Sequence, residues 1–160
     1  MAKFASHTDV PVAKSRAEIE AMLARYKATA TGVFTSTGQA AVAFEMHGRR
    51  VLFRLALPES TAKEFQTVKV NQSRTRRASP EQVERQCEMA CRRKWRALLL
   101  AIKAKLVAVD DGIETFEEAF MAHVVMPDGS TVAEHVRPRI ASAYSDGKMV
   151  PLLPPPPANR

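Results

Sequence analysis

The chain has 160 residues, a net charge of +7, 46% apolar residues and only 6% aromatic residues. That length supports one compact domain with a real core, burying roughly two-thirds of its unfolded surface, and the scarcity of aromatics makes that core aliphatic. Two cysteines, Cys87 and Cys91, exclude a disulfide framework, no apolar run approaches the ~20 residues of a membrane span, and the absence of a signal-like apolar run predicts a cytoplasmic protein.

In chain order, residues 1–14 are expected to be a flexible N-terminal segment, ahead of a single domain at 15–150. Four capping boxes punctuate that domain. In each, a Ser or Thr side chain satisfies an orphan N–H at a helix start, and a Glu or Gln three residues later reaches back. Ser15 with Glu18 opens a helix expected over 16–27. Residues 30–57 change texture to alternating Val, Phe, Thr and Leu. Val42, Phe44 and Met46 share one face, and so do Val51, Phe53, Leu55 and Leu57 beyond a His47-Gly48 turn. Arg50 and Arg54 project from the opposite face. With a strand over 31–36 joined through Gly38, this predicts three antiparallel strands whose apolar face needs a helical cover.

Residues 66–78 are polar and basic without useful periodicity, which predicts an exposed basic loop. Ser79 with Gln82 then opens a long helix over 80–110, with Pro80 at the favoured first position. Cys91, Trp95, Leu98, Leu99, Ile102, Leu106 and Val109 form its core stripe. Trp95 reads as a buried anchor, the alternative being a stacking platform for bases. Thr115 with Glu118 opens a third helix. Thr131 with Glu134 opens a fourth that stops before Gly147. Residues 151–160 hold four consecutive prolines and read as an extended, disordered tail. The fold class is therefore α+β, a three-stranded antiparallel sheet packed on a long helix in the order α-β-β-β-α-α-α.

The charge is not spread evenly. Residues 67–105 carry eleven Lys or Arg against three acids, a net +8, so everything else is slightly acidic. A local field of one sign points to a polyanionic partner, most commonly nucleic acid. On the long helix Arg85, Arg92, Arg96 and Lys103 are spaced to fall within about 40° of one another, a row about 27 Å long. Such a row can track a phosphate backbone. The expected nucleic-acid contacts are Lys69, Arg74, Arg76 and Arg77 in the loop, Arg85, Arg92, Arg93, Arg96 and Lys103 on the helix, and Arg50 and Arg54 on the sheet. Their role would be phosphate contact, which positions a strand without reading its sequence. Against this, Glu81 and Glu88 each stand four residues before a cation, at Arg85 and Arg92, and can neutralise it.

Catalytic and metal chemistry find little footing. Neither thiol has a histidine at zinc-ligand spacing. There is no glycine-rich phosphate loop, no serine-hydrolase elbow and no cofactor motif. Glu114, Glu117 and Glu118 cluster, but a helix N-terminus accounts for them. A metal-dependent nuclease built on these acids is the least favoured alternative. A module that binds and modulates a host protein through the basic helix is the nearer one.

The run WRALLLAIKAKLVAVDDGIETFEEAFMAHVVMPDGSTVAEHVRPRIASAY at 95–144 and the segment AVAFEMHGRRVLFRLALP at 41–58 resemble a group of small proteins encoded in phages and prophages. The likeness extends over about residues 15–153. It implies a mobile-element origin and little about mechanism; phage genomes commonly place such small proteins among DNA replication and recombination genes. The predicted sheet followed by a long basic helix also resembles, in outline, the core of single-strand annealing proteins, which hold a stretched strand in a basic groove as oligomeric rings. Together these readings predict a non-catalytic protein that binds single-stranded DNA, with homo-oligomerisation open.

Overall fold

A computed structural model of the chain describes residues 9–71, 74–148, 151 and 153. Helix α1 spans Val12–Arg25, strands β1 to β3 span Ala30–Ser36, Gln39–Met46 and Arg49–Ala56, and a 3-10 turn covers Lys63–Phe65. Short strands β4 (Thr67–Lys69) and β5 (Thr75–Arg77) follow. Then come the long helix α2 (Pro80–Asp110), the short α3 (Phe116–Phe120), a 3-10 turn (Met121–His123) and α4 (Val132–Asp146). The protein is α+β, and the helix, three strands, three helices order holds.

The sheet runs β1-β2-β3, all antiparallel. Its register pairs Val33 with Val42, Phe44 with Val51 and Val42 with Phe53, so the centre of one face is apolar, with Thr31, Thr35 and Arg49 at its margins. The β2–β3 turn needs positive φ at both central residues, and His47 (51°) and Gly48 (70°) supply it. That is the primed geometry whose twist matches a two-residue hairpin. The free edge of β3 is partly closed by a bridge between Val51 and Val124 and by the Val125 N–H donating to the Arg50 carbonyl.

On the apolar face sit α1, α2 and α3. Ile19, Met22 and Leu23 of α1 join Trp95, Leu98, Leu99, Ile102 and Leu106 of α2, Phe116, Ala119 and Phe120 of α3, and the inward residues of β2 and β3 in one core. Phe120 meets two sheet aromatics edge-on. Phe120 lies 5.7 Å from Phe44 and 6.3 Å from Phe53, nearly perpendicular to both, the arrangement the ring quadrupoles favour.

Capping chemistry accounts for three of the four expected helix starts. At Ser79 the hydroxyl accepts from the Gln82 N–H and the Gln82 amide oxygen accepts from the Ser79 N–H. Thr115 and Glu118 repeat the exchange. At Thr131 the Glu134 carboxylate accepts from the backbone N–H at 2.7 Å. Gly147 ends α4 in the left-handed conformation.

The fourth start differs. Helix α1 begins at Val12, not near 16, and its cap residue is Pro11 in extended geometry. Proline fixes φ and cannot continue a helix backwards, while Val12 extends the apolar stripe toward the core. Ser15 therefore lies inside the helix, fully buried, and its hydroxyl has no hydrogen-bond partner among the described residues. The expected flexible segment consequently ends earlier than residue 14, and residues 1–8 lie outside the described residues. Ser15→Ala is expected to be neutral or stabilising by up to about 1 kcal/mol, because it removes an unsatisfied buried hydroxyl. A true N-cap would instead lose about 1 kcal/mol. Urea unfolding of the two proteins side by side separates these outcomes.

The second difference is at residues 66–78. Instead of an irregular loop, the structure forms a two-stranded antiparallel hairpin with register Thr67–Arg77, Val68–Arg76 and Lys69–Thr75. The Asn71 side chain accepts from the Arg74 N–H at 2.8 Å and helps close its turn. The expected proline tail lies, apart from Pro151 and Leu153, outside the described residues.

Candidate nucleic-acid interface

Four of the eleven expected contact residues are held by carboxylates. Arg50 donates through Nε and Nη2 to the Glu45 carboxylate, at 3.1 and 3.0 Å. Arg54 reaches Glu134 of α4 at 2.5 Å. Arg92 donates to Glu88 at 2.5 Å and to the Asp9 carbonyl at 3.4 Å. Arg96 donates to Glu18 of α1 at 2.6 Å. The exposed pairs at Arg50 and Arg54 add little stability, about 0–1 kcal/mol each, but all four pairs hold a guanidinium on a protein acid.

The expected row of cations along α2 is thereby broken. Helix α1 runs alongside α2, with its start near Arg92 and its middle at Arg96. The central two members of the row are turned into this helix pair, and the buried Arg92 Nε has no hydrogen-bond partner among the described residues. Arg85 and Lys103 at the ends are exposed. The expected Glu81–Arg85 pair does not form within 4 Å, whereas Glu88–Arg92 does. Lys103 lines a groove between α1 and α2 with Arg25 and Arg96, over a floor of Met22 and Leu99. Arg25 was not among the expected contacts, because nothing in its local sequence ties it to α2.

Hairpin β4–β5 presents the clearest concentration of unpaired charge. Lys69, Arg74, Arg76 and Arg77 are all exposed, and residues 67–77 contain no acid. No carboxylate lies within 4 Å of any of the four among the described residues, and the Arg76 guanidinium donates to the backbone oxygen of Arg77. Alternation puts Lys69 and Arg77 on one face of the ribbon and Arg76 on the other, so the arm is cationic all round. Arg77 also borders a groove with Gln66, Pro80 and Glu84, joining the hairpin to the first turn of α2. Arg85 lies further along that exposed start of α2, and Arg93 is half-buried beyond it.

Other chemically active groups make local contacts. Of the expected acidic cluster, Glu118 is engaged by the Thr115 cap, whose hydrogen bonds hold its carboxyl below the usual range, and Glu117 lies 3.9 Å from Arg49. No group of three His, Cys, Asp or Glu among the described residues is placed to hold a metal ion. Cys87 and Cys91 are free thiols that both point at the Pro58 carbonyl. Burial, then the neighbouring Cys87, pushes the Cys91 thiol up, away from reactive thiolate.

A Ser, His and Asp do converge, which sequence spacing had not suggested. Ser130 Oγ lies 2.6 Å from His135 Nε2, and Asp128 lies 2.9 Å from the same nitrogen and 2.7 Å from the same hydroxyl. A hydrolytic triad needs the carboxylate on one ring nitrogen and the nucleophile on the other. Here both share Nε2, so the cluster closes the loop ahead of α4. Beside it, the Arg54 hydrogen bond, then those from Thr131, draws Glu134 down to about 2.

His123 stacks on Phe53 at 3.9 Å. Burial first, then nearby Lys105, lowers its pKa below 6.5, against a hydrogen bond to the Leu52 backbone. The fold thus prefers neutral His123, and below about pH 6.5 the unfolded chain binds its proton more readily than the folded one. Stability from this group is complete above that value and falls on acidification. His123→Phe, which keeps the stack, is expected to lose less melting temperature than wild type between about pH 7 and 5. Parallel declines would show that His123 does not titrate in this way.

No helix among the described residues is long and apolar enough to cross a membrane. Comparison with protein families, with curated proteins and with solved structures finds no match for the chain.

Proposed function

We propose that the protein is a non-catalytic single-stranded-DNA-binding protein of phage DNA metabolism, with strand annealing as its specific activity. Hairpin β4–β5 is the primary contact, and the first turns of α2 extend it. The observation that carries this reading is the acid-free hairpin, whose four cations are exposed with no carboxylate partner among the described residues, while four of the other seven expected contacts are held by carboxylates. The resemblance of residues 41–58 and 95–144 to small phage-encoded proteins supports the setting.

The chemistry fixes how such binding behaves. Phe65, just before the hairpin, is buried with Trp95, Phe44 and Phe120, and the exposed aromatics Phe34 and Tyr144 lie on β1 and α4 rather than on the hairpin. Binding is phosphate-led and tolerant of sequence. About five phosphate contacts on a single strand give a salt slope near −3.5, a loss of about 10² in affinity between roughly 50 and 200 mM salt.

The test is fluorescence anisotropy of a labelled single strand at those two salt concentrations, beside a duplex of equal length. Tight, salt-steep binding that favours the single strand supports the proposal, and an annealing assay with complementary strands then follows. Binding that ignores salt, or no binding at low salt, overturns it and leaves the basic hairpin to an acidic protein partner.

A further inference from the structure

Helix α2 has a second face that the core does not use and on which Arg93 is the one expected nucleic-acid contact. Trp95, Leu99, Ile102 and Leu106 point into the core. Helix α1 flanks one side through Arg92 and Arg96, and α3 flanks the other, where Lys105 donates to the Ala119 carbonyl. Opposite the core, Ala97, Leu100, Ala101, Ala104 and Val107 fall within an arc of about 120°. All five are exposed, with Leu100 at 40% and Val107 at 38%. An apolar stripe of this sort on a 31-residue helix is what a helix presents to another helix.

The ends of the stripe carry opposite charges. Arg93 stands at one end, half-buried with no carboxylate within 4 Å among the described residues, and Asp111 at the other, exposed. Both lie near the centre line of the arc. Asp110 and Asp111 close α2 with no basic residue in its last turn. The carboxylates therefore meet the negative end of the helix dipole, an unfavourable placement that a cation from outside would offset.

The geometry points to a second copy of this chain as the occupant, docked α2 against α2 in antiparallel fashion about a two-fold axis at the level of Ile102. Reversing the helix about residue 102 brings Arg93 opposite Asp111 of the second copy, Leu100 opposite Ala104, and Ala97 opposite Val107. Each large side chain meets a small one, and each unpaired cation meets the carboxylate that lacks one. A self-complementary patch is the requirement of a closed two-fold dimer. A foreign helix has no reason to match this spacing at both ends.

The face is about 27 Å long, from eighteen residues at 1.5 Å each. That is a small interface, short of the ~1,200 Å² at which stable complexes begin. The dimer is therefore a reversible one that fills with concentration. It also sets two β4–β5 hairpins in a fixed two-fold relation, without depending on what those hairpins bind.

Sedimentation equilibrium of the full chain, without nucleic acid, tests this over about 10 µM to 1 mM, the range suited to so small an interface. The expected result is a mass rising from the 17.7 kDa monomer toward twice that value. Arg93→Glu and Asp111→Arg each set like charges face to face and are expected to weaken association about tenfold or more. The double variant restores the pair in reverse and is expected to return to within about threefold of wild type. Ala104→Glu, at the exposed centre, is expected to abolish association, while unchanged melting in dilute solution shows that the fold is intact. A wild-type mass that stays monomeric throughout overturns the proposal. So does association that the single variants leave untouched, or that the double variant fails to rescue.

Discussion

Replacing Arg74, Arg76 and Arg77 together by alanine is expected to lower affinity for single-stranded DNA about 10²-fold at roughly 0.1 M salt and to flatten the salt slope by about 2. Each phosphate neutralised on a single strand contributes about 0.7 to that slope, and the three arginines account for three such contacts. They are free to do so because hairpin β4–β5 contains no acid. Arg50→Ala with Arg54→Ala should cost less than about threefold, since these guanidiniums already sit on Glu45 and Glu134 and must leave one anion to reach another. The ranking separates two pictures that net charge alone cannot. A uniformly basic surface predicts that the sheet pair and the hairpin trio matter in proportion to their number. A hairpin arm predicts that they differ by more than an order of magnitude. The hairpin side chains are exposed, so the triple variant should unfold within about 0.5 kcal/mol per site of wild type, and circular dichroism checks that the lost affinity is not lost structure.

What the sequence shows and what it hides divide along the range of the interactions. Helix starts at Ser79, Thr115 and Thr131 were legible because a capping box is written within four residues. The box at Ser15 misled because the same four letters occur one turn inside a helix that Pro11 and Val12 had already begun. The hairpin was hidden for a different reason. Its strands have three residues each and Val68 is their one apolar side chain, so no alternation reveals them, and backbone pairing with the Asn71 turn sets their register. Charge was legible in amount and not in availability. Glu18 and Arg96 are 78 residues apart, and Arg54 and Glu134 are 80 apart. Arg50 with Glu45 could have been read, because a two-residue turn at His47-Gly48 sets them directly opposite across the β2–β3 pair.

Trp95→Ala is expected to destabilise the protein by about 3–5 kcal/mol, the cost of a large core aromatic truncated without collapse of the site. Trp95 is 1% exposed, lies where α2 meets α1 and the sheet, and has the Arg16 guanidinium 5.7 Å from its ring centre. With about 2–4 °C lost per kcal/mol for a chain of this size, the melting temperature should fall by roughly 10 °C or more. Trp95→Phe keeps most of the apolar volume and should cost clearly less, nearer 1–2 kcal/mol. Had this residue been a stacking platform for bases, the two substitutions would act on binding, and alanine alone would cost about 1–3 kcal/mol of affinity. Burial reverses that. The Phe variant, still folded, should bind single-stranded DNA as wild type does, and the fluorescence of wild-type Trp95, the single tryptophan of the chain, should be little changed when DNA is added. Quenching on addition of DNA would mean that the base of α2 opens to the strand, and that contact is not confined to the hairpin. The hairpin variant loses affinity at nearly unchanged stability, and the Trp95 variant loses stability at nearly unchanged affinity. That contrast follows from a chain that places Trp95 in the core and an acid-free group of cations on an arm outside it.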